Sequence, residues 1–412
     1  MLHDLALLTA AVNATVAIHA AVGQSLLHAA AAAAAMPVAA ATPAPAAVPL
    51  AAAPATVPSP AAAVAAFSPA AAALRDGGLV LSFRSSGFLI FFFAGVLAAL
   101  ESAGVVAPGV TPMAGVSGGA IAAASFHAGM TPAQRLAAAA ALNDKCRPSS
   151  GCPGRLGAVL RAELERTFPA DAHRTAGGPP IMSVYVSKVK GADPAAAAAS
   201  NPFSFWLPAE PRLVPRAATN AAFLDGIAAS SYVPRWSGPG RYTTLNGEAV
   251  YDGGPTGGGI CPPAPPGGKS YFCLRVASAV GPGAAFKSAP SSAAEAVDVA
   301  ALRRAAAAAG MAPALEAAGV DAFLGAGARG VGAAGDSDIF IGQPGAPAVS
   351  LPRSSIQSYT MLTVPPQYTQ YLYEVGGQSA RAWMAGQAGL AEAIAIAAAR
   401  RSAAAAAAAA KN

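Results

Sequence analysis

Hydrophobic and polar positions recur with different periods along the chain, and each period predicts an element. Between Arg155 and Thr167 the apolar residues Leu156, Leu160 and Leu164 recur at helical spacing, which predicts an amphipathic helix. Ile181–Val189 alternates apolar and polar side chains as a half-buried strand does.

Further strands are predicted at Leu79–Phe83, Glu248–Tyr251 and Ser270–Ala277, and a helix at Gly118–Gly129. Helical segments long enough for crossover connections separate these strands. Such an order predicts an α/β fold, with a parallel or mixed sheet that carries helices on both faces.

Phe88–Leu100 is an uninterrupted apolar run. A bilayer span needs about 20 such residues, so this shorter run favours a buried core helix over a membrane anchor. The phenylalanines at Phe91–Phe93 leave a lipid-facing role open.

Composition divides the chain into three parts. Residues 1–77 form an alanine- and proline-rich leader with no charged residue between Leu5 and Leu74, and we predict no fold for it. A folded domain is expected at 78–387, with an alanine- and glycine-rich insertion at about 279–334. An alanine-rich tail, 388–412, is expected to end as a frayed helix. The leader lacks the charges of a secretory or organelle signal, so compartment stays open.

The overall composition restricts the class of protein. The chain has 412 residues, of which 54% are hydrophobic and 11% are charged, and this excludes a solvated, disordered linker. The net charge of +6 is spread along the chain without a basic block, so nucleic acid is not an expected partner. A mildly basic, apolar protein is compatible with an anionic lipid surface.

The metal-binding residue types show no metal-site pattern. The four cysteines, Cys146, Cys152, Cys261 and Cys273, have no C-x-x-C spacing and are predicted to be free or optional thiols. No two of the five histidines share a helix face at ligand spacing. We therefore predict neither a metal site nor a cofactor.

A G-x-S-x-G motif, Gly115–Gly119, falls between a predicted strand and a predicted helix. In a nucleophile elbow the serine occupies a strained turn, and glycines flank it because larger side chains would collide there. Ser117 is therefore the expected nucleophile, with Gly115 and Gly119 as the elbow glycines.

A second turn, between Ser82 and Ile90, separates a predicted strand from the apolar helix. Such a turn can point backbone N–H groups at the oxyanion that forms when a serine attacks an ester. Gly87 is the expected donor, although a simple strand-to-helix connection is the alternative.

A serine nucleophile needs a base. His127 lies about three helical turns beyond Ser117 and cannot reach it, and His173 has the context of a surface or capping residue. Asp252 follows a predicted strand and precedes two glycines, which is where α/β sheets carry catalytic groups. Asp225 is the alternative candidate for the base, but its position at the start of a predicted helix favours a role as the N-cap of that helix.

These motifs resemble those of the patatin-like phospholipases, in particular their adiponutrin and adipose triglyceride lipase branch. The resemblance covers about Leu79–Met384 with one insertion. The similar segments, in chain order, are SFRSSGFLIFFFAGV at 82–96, GVSGGAIAAA at 115–124, FPADAHRTAGG at 168–178, IAASSYVPRWSG at 227–238 and VYDGG at 250–254.

The resemblance implies a three-layer αβα fold and a Ser117–Asp252 dyad that works without histidine. The oxyanion would rest on backbone N–H groups at Gly87, Phe88 and Gly118. The implied protein is a lipase or phospholipase that cleaves glycerolipid esters through an acyl-enzyme, with a lipid droplet or membrane surface as its partner and no cofactor. A lipid transacylase and a catalytically silent lipid-binding protein are the alternatives.

The sequence departs from the family's G-x-G-x-x-G loop, because Ser85 and Ile90 replace its first and last glycines. If position 85 needs a positive φ, a serine there costs about 1–2 kcal/mol and misdirects the N–H donors.

Overall fold

The structure is a computed structural model that describes residues 67–191, 193–200, 206–267, 270–281, 299–308 and 338–409. Most of the expected leader, and the expected insertion apart from 279–281 and 299–308, lie outside the described residues. Within them the chain has the predicted three-layer αβα fold, with a mixed and mostly parallel sheet between helices.

The sheet has eight strands. They are β1 (Leu79–Phe83), β2 (Met113–Gly115), β3 (Met182–Val189), β4 (Ala209–Leu213), β5 (Thr243–Leu245), β6 (Glu248–Tyr251), β7 (Phe272–Val280) and β8 (Asp338–Ile341).

The strand order is β5-β6-β3-β2-β1-β7-β8, and β4 also pairs with β3. The pairs β1–β2, β2–β3, β1–β7 and β7–β8 are parallel. The pairs β3–β4, β3–β6 and β5–β6 are antiparallel. β1 and β2 are therefore parallel neighbours, so the loops after them open at the same edge of the sheet.

The helices connect and cover these strands. They are α1 (Pro69–Asp76), α2 (Ile90–Ser102), α3 (Gly118–His127), α4 (Pro132–Cys146), α5 (Leu156–Thr167), α6 (Ala172–Thr175), α7 (Pro194–Ser200), α8 (Asn220–Ser230), α9 (Gly254–Gly257), α10 (Val299–Ala308), α11 (Arg353–Ser358), α12 (Pro366–Ala385) and α13 (Leu390–Ala409).

The apolar run Phe88–Leu100 forms a short 3-10 turn followed by α2, as a core helix should. Phe91, Phe92 and Phe93 are each 0% exposed and belong to the main hydrophobic core. The lipid-facing role left open for these rings is therefore wrong, because they pack against the sheet and α12 rather than facing solvent.

Helices lie outside both expected boundaries of the folded domain. α1 begins at Pro69, inside the expected leader, and Ser68 caps it by accepting from the Ala71 N–H. α13 lies inside the expected tail, and its Arg400 donates to the carbonyls of Leu74 and Arg75 at the end of α1. The two helices pack on each other, and α1 also packs on β1 and β7. Composition does not reveal these long-range contacts.

The cysteines, which were predicted to be free or optional thiols, are paired in disulfide bonds. Cys146 bonds to Cys152 and Cys261 bonds to Cys273, with Cα atoms 4.7 and 6.1 Å apart. The described residues hold no free cysteine. Bonding requires this close Cα approach, and the sequence spacing did not show it.

No single helix among the described residues is long and apolar enough to cross a bilayer. α12 and α13 pass that test only as a pair, bent by 101° at their break.

Candidate active site

Ser117 stands on a sharp turn between β2 and α3. Its backbone has φ 54° and ψ −132°, a strained conformation for a residue with a side chain. The Ser117 N–H donates to Ser230 Oγ at 2.9 Å, and Ser230 Oγ donates to the Tyr185 carbonyl at 2.7 Å. Helix α8, through Ser230, and strand β3, through Tyr185, thus hold the turn in place.

The elbow glycines are required by close backbone approach. A Cβ on Gly119 would lie 2.5 Å from the Arg84 carbonyl oxygen and 2.6 Å from that of Phe83. A Cβ on Gly115 would lie 2.5 Å from the Gly119 carbonyl oxygen. Gly119 therefore packs directly on the end of β1, and Gly115 packs on the first turn of α3, so both positions need the small residue that the motif predicts.

Asp252 follows β6, which runs antiparallel to β3. Its N–H donates to the Tyr232 carbonyl at 2.8 Å, and its carbonyl accepts from Ser187 Oγ at 2.7 Å. A Cβ on Gly253 would lie 2.2 Å from the Tyr185 carbonyl oxygen, so the first glycine after Asp252 lets this turn lie against β3.

The structure brings the side chains of Ser117 and Asp252 together. The Ser117 hydroxyl lies near the Asp252 carboxylate and helps to hold down the pKa of that carboxyl, and both residues are buried. Asp252 Oδ1 also accepts from the Gly254 N–H at 2.7 Å and from Ser85 Oγ at 3.4 Å. Burial raises the pKa of Asp252 to about 6, although these hydrogen bonds oppose the rise. Near pH 7 this carboxylate is mostly ionised and can accept a proton.

Two of the three expected oxyanion donors are free in the described part of the chain. The N–H groups of Gly87 and Gly118 have no hydrogen-bond partner there. The Phe88 N–H donates to the Tyr359 carbonyl at 3.0 Å. The expectation that the Phe88 N–H donates to the oxyanion is therefore wrong, because that N–H already donates to the Tyr359 carbonyl.

Ser85 and Ile90, which stand where the family's loop has glycines, fit the structure without the expected backbone strain. Ser85 does not have a positive φ, whereas Gly87 has φ +53°. The Ser85 side chain packs beside Gly254, where a Cβ would lie 2.2 Å from Ser85 Oγ. Ile90 is buried at the start of α2. The cost expected at position 85 therefore does not arise.

A cleft opens beside Ser117, with about 440 Å³ of free space including its mouth. We call it the serine cleft. Gly87 and Gly118 line it together with Ser117, and its walls are mostly apolar. The remaining lining residues are Phe88, Ile121, Leu142, Leu156, Leu160, Ser231, Val233, Trp236, Thr360 and Met361.

The other candidate bases do not belong to this site. His127 is buried at the end of α3, where its Nδ1 accepts from the Gly109 N–H, and burial lowers its pKa to about 4. The His173 N–H donates to Asn220. Asp225 lies inside α8 rather than at its N-cap, which is Thr219, and it pairs with Arg161 at 2.7 Å. The N-cap interpretation of Asp225 is wrong.

Sequence reasoning missed two positioning residues, Ser187 and Ser230. Both are fully buried, and their hydroxyls hold the backbones of Asp252 and Ser117. Ser230 lies in one of the segments quoted for the family resemblance, and that was the only signal for it. Ser187 lies at an inward position of an alternating strand, where a polar side chain could have been noticed.

The described residues contain no group of three or more His, Cys, Asp or Glu side chains that could hold a metal ion. In comparisons with known proteins, no family model and no curated protein matches the chain.

Proposed function

We propose that the protein is a serine acyl hydrolase that cleaves glycerolipid esters through a Ser117–Asp252 dyad. The observation that carries the proposal is a buried carboxylate, with its pKa raised to about 6, beside the hydroxyl of a strained serine. A general base works best when its pKa lies near the working pH, and the Asp252 pKa meets that condition.

In the acylation step Ser117 Oγ attacks the ester carbonyl carbon while its proton passes to Asp252. The carbonyl oxygen takes the electron pair, and the free N–H groups of Gly87 and Gly118 stabilise its negative charge. When the tetrahedral intermediate collapses, the C–O bond to the alcohol breaks and the alcohol leaves with the proton from Asp252. The acyl group remains on Ser117.

Deacylation repeats the sequence with water. Asp252 accepts a proton from the attacking water, the same two N–H groups hold the oxyanion, and the acid leaves as Ser117 Oγ regains its proton. Each donor of this kind is typically worth about 3–4 kcal/mol of barrier. The residues of the dyad and the two donors supply all the groups that the reaction needs.

The apolar walls of the serine cleft support a fatty ester rather than a polar one. A lipid droplet or membrane would present such a substrate. The resemblance to patatin-like phospholipases points in the same direction. We therefore propose triacylglycerols or phospholipids as the substrate class.

The test is covalent labelling with a fluorophosphonate, together with fatty-acid release from triacylglycerol and phosphatidylcholine. We expect the wild-type protein to be labelled and to release fatty acid, and Ser117→Ala to lose both activities. Asp252→Asn should lower the labelling rate at least a hundredfold, the scale of general-base catalysis, about 10²–10⁴.

Asp225→Asn is the matched control, because it removes the same charge from an exposed helix position. It should leave both activities unchanged. The proposal fails if Ser117→Ala is labelled as fast as the wild type, or if the two asparagine variants behave alike.

Two features beside the oxyanion position favour a second candidate, a lipid-binding protein without catalytic activity. The occupied Phe88 amide and the Ser86 hydroxyl beside Gly118 leave fewer donors and less room around the oxyanion position. Absence of labelling in a folded wild-type protein that still binds fatty acid would select this candidate.

A further inference from the structure

The segment between α11 and α12, residues 359–364, lies on the loop that joins β1 to α2, and we call this segment the strap and that loop the oxyanion turn. The Tyr359 carbonyl accepts from the Phe88 N–H at 3.0 Å. A Cβ on Gly87 would lie 1.8 Å from the Thr360 carbonyl oxygen, so that carbonyl lies against the glycine backbone. The strap therefore contacts two successive residues of the oxyanion turn.

These contacts determine where the free N–H of Gly87 lies. Gly87 has φ 53°, and a glycine has no side chain to restrict its backbone, so its neighbours must fix this conformation. The bond from Phe88 to the strap fixes the peptide group that follows Gly87. Because Gly87 lines the serine cleft, a shift of the strap would move its N–H relative to Ser117.

Asn143, on α4, holds the far end of the strap. Its Nδ2 donates to the Val364 carbonyl at 2.8 Å, and its Oδ1 accepts from the Val364 N–H at 2.8 Å. One amide side chain thus pairs with both backbone groups of a residue 221 positions away. Asn143 and Val364 are each 0% exposed, so loss of these bonds would leave buried backbone groups without partners.

The local sequence explains why a side chain has to supply these bonds. Pro365 follows Val364, and the residue before a proline is disfavoured in helical conformation. Val364 belongs to neither a helix nor a strand, so its N–H and C=O have no regular backbone partner. Buried backbone groups are nearly always paired, and here the amide of Asn143 pairs with them.

Asn143 lies outside the serine cleft, whereas the strap forms part of its wall. Thr360 and Met361 line the cleft, and Asn143 does not. A Cβ on Gly151 would lie 2.4 Å from the Met361 carbonyl oxygen, so the strap is also packed against the loop after α4. Asn143 therefore has no contact with a substrate in the cleft, and any effect it has on the reaction passes through the strap.

We propose that Asn143 is a positioning residue for the acyl transfer at Ser117. By holding Val364 it fixes the strap, and the strap holds the Gly87 N–H where the oxyanion forms. The effect on the reaction rests on the proposed function. The link from Asn143 to the oxyanion turn does not, because it depends only on the contacts of the strap.

Hydrogen exchange followed by NMR tests the link without any reaction. Asn143→Leu removes both bonds and keeps a side chain of similar size, so the Phe88 N–H should exchange about tenfold faster or more, through local opening of the strap. The Ser117 N–H, which donates to Ser230, should exchange at the wild-type rate. Equal acceleration of both amides would indicate a general loss of stability and would overturn the proposal, as would an unchanged Phe88 N–H.

Fluorophosphonate labelling tests the effect on the reaction. In Asn143→Leu the rate constant at saturating reagent should fall about tenfold or more, because a displaced oxyanion donor no longer stabilises the transition state. The reagent concentration at half-saturation and the final labelled fraction should equal those of the wild type, since neither depends on that donor. A rate constant at or above the wild-type value, or a change confined to half-saturation, would overturn the proposal.

Thr111→Val is the matched control. The Thr111 hydroxyl accepts from the Ala107 N–H at 3.0 Å, so this variant also removes a bond between a side chain and the backbone. Thr111 precedes β2, at the end of that strand remote from Ser117. The control should keep the wild-type rate constant and the wild-type exchange of the Phe88 N–H. A loss equal to that of Asn143→Leu would show that the position of the lost bond is irrelevant.

Asn143→Ala is the second variant, for use if the leucine variant does not fold, because it removes the same two bonds without adding bulk. It should change the labelling rate constant and the Phe88 exchange in the same directions. Wild-type values of either quantity would contradict the positioning role.

The two experiments separate this inference from the proposed function. If fluorophosphonate never labels the wild-type protein, the acyl hydrolase fails, and exchange of the Phe88 N–H still decides whether Asn143 holds the oxyanion turn. If the wild type and Asn143→Leu are labelled equally fast, the positioning role fails and the hydrolase stands.

Discussion

Two residues of the candidate site are unusual: Ser117 has a strained backbone conformation, and Asp252 is a buried carboxylate. Ser117 has a positive φ, a state that costs about 1–3 kcal/mol for a residue with a side chain. Asp252 carries its carboxyl group in a fully buried position. The surrounding backbone contacts maintain both states, and strain of this kind clusters at functional sites.

A residue-scale prediction concerns Ser85, which replaces a family glycine. Its hydroxyl donates to Asp252 Oδ1 and is one of the contacts that lower the pKa of that carboxyl. Ser85→Ala should therefore raise the pH midpoint of fluorophosphonate labelling relative to the wild type, because the ionised base loses a donor.

Ser82→Ala is the control for this measurement, since the Ser82 hydroxyl donates to the Ile260 carbonyl instead. Its pH midpoint should equal that of the wild type. A Ser85→Ala profile that coincides with the wild-type profile would show that the 3.4 Å contact has no electrostatic effect.

At the scale of elements, the packing of α2 on α12 depends on glycines. A Cβ on Gly95 would lie 1.9 Å from the Tyr373 carbonyl oxygen, and a Cβ on Gly376 would lie 2.1 Å from that of Phe92. The two helices therefore meet backbone to backbone. This contact anchors the helix that follows the oxyanion turn.

Gly95→Ala should lower the free energy of unfolding by about 1–3 kcal/mol, the usual cost of overpacking, because the backbones must separate. Gly386→Ala is the control, since a Cβ there would lie 3.4 Å from its nearest neighbour, an ordinary contact. Urea denaturation measures both. Equal midpoints in the two variants would contradict the close approach.

At the scale of the whole molecule, two buried groups give opposite pH dependences of stability. Unfolded aspartate loses its proton near pH 3.8, whereas Asp252 in the folded protein keeps it to about 6. The folded state binds more protons in that window, so Asp252 makes stability fall as pH rises. His127 has its ordinary pKa of 6.5 lowered to about 4, so the unfolded state binds more protons. His127 therefore makes stability fall as pH decreases.

Each effect amounts to about 3 kcal/mol, at 1.36 kcal/mol per pKa unit, so the two nearly cancel between about pH 4 and 6. We expect Asp252→Asn to show stability that rises with pH across this window relative to wild type. His127→Gln should show stability that falls. Urea denaturation at several pH values measures both slopes, and parallel curves for the two variants would contradict the assignment.

Local patterns were sufficient for several elements, among them those next to Ser117 and Asp252. The G-x-S-x-G spacing predicted the elbow because its requirement for small residues is local. The strand before Asp252 was predicted with the bounds that β6 has. Alternation and helical spacing were likewise enough for the α/β class, because they depend only on which side of each element is buried.

Contacts between distant segments required the tertiary structure. The Phe88 N–H donates to the Tyr359 carbonyl, and Ser230 accepts from the Ser117 N–H; each of these bonds joins parts of the chain whose proximity no local pattern encodes. The sequence by itself determined the α/β class, the turn that carries Ser117 and the strand that precedes Asp252. Only the folded chain decided which donors are free and how burial changes the pKa of Asp252, because these depend on what packs around each group.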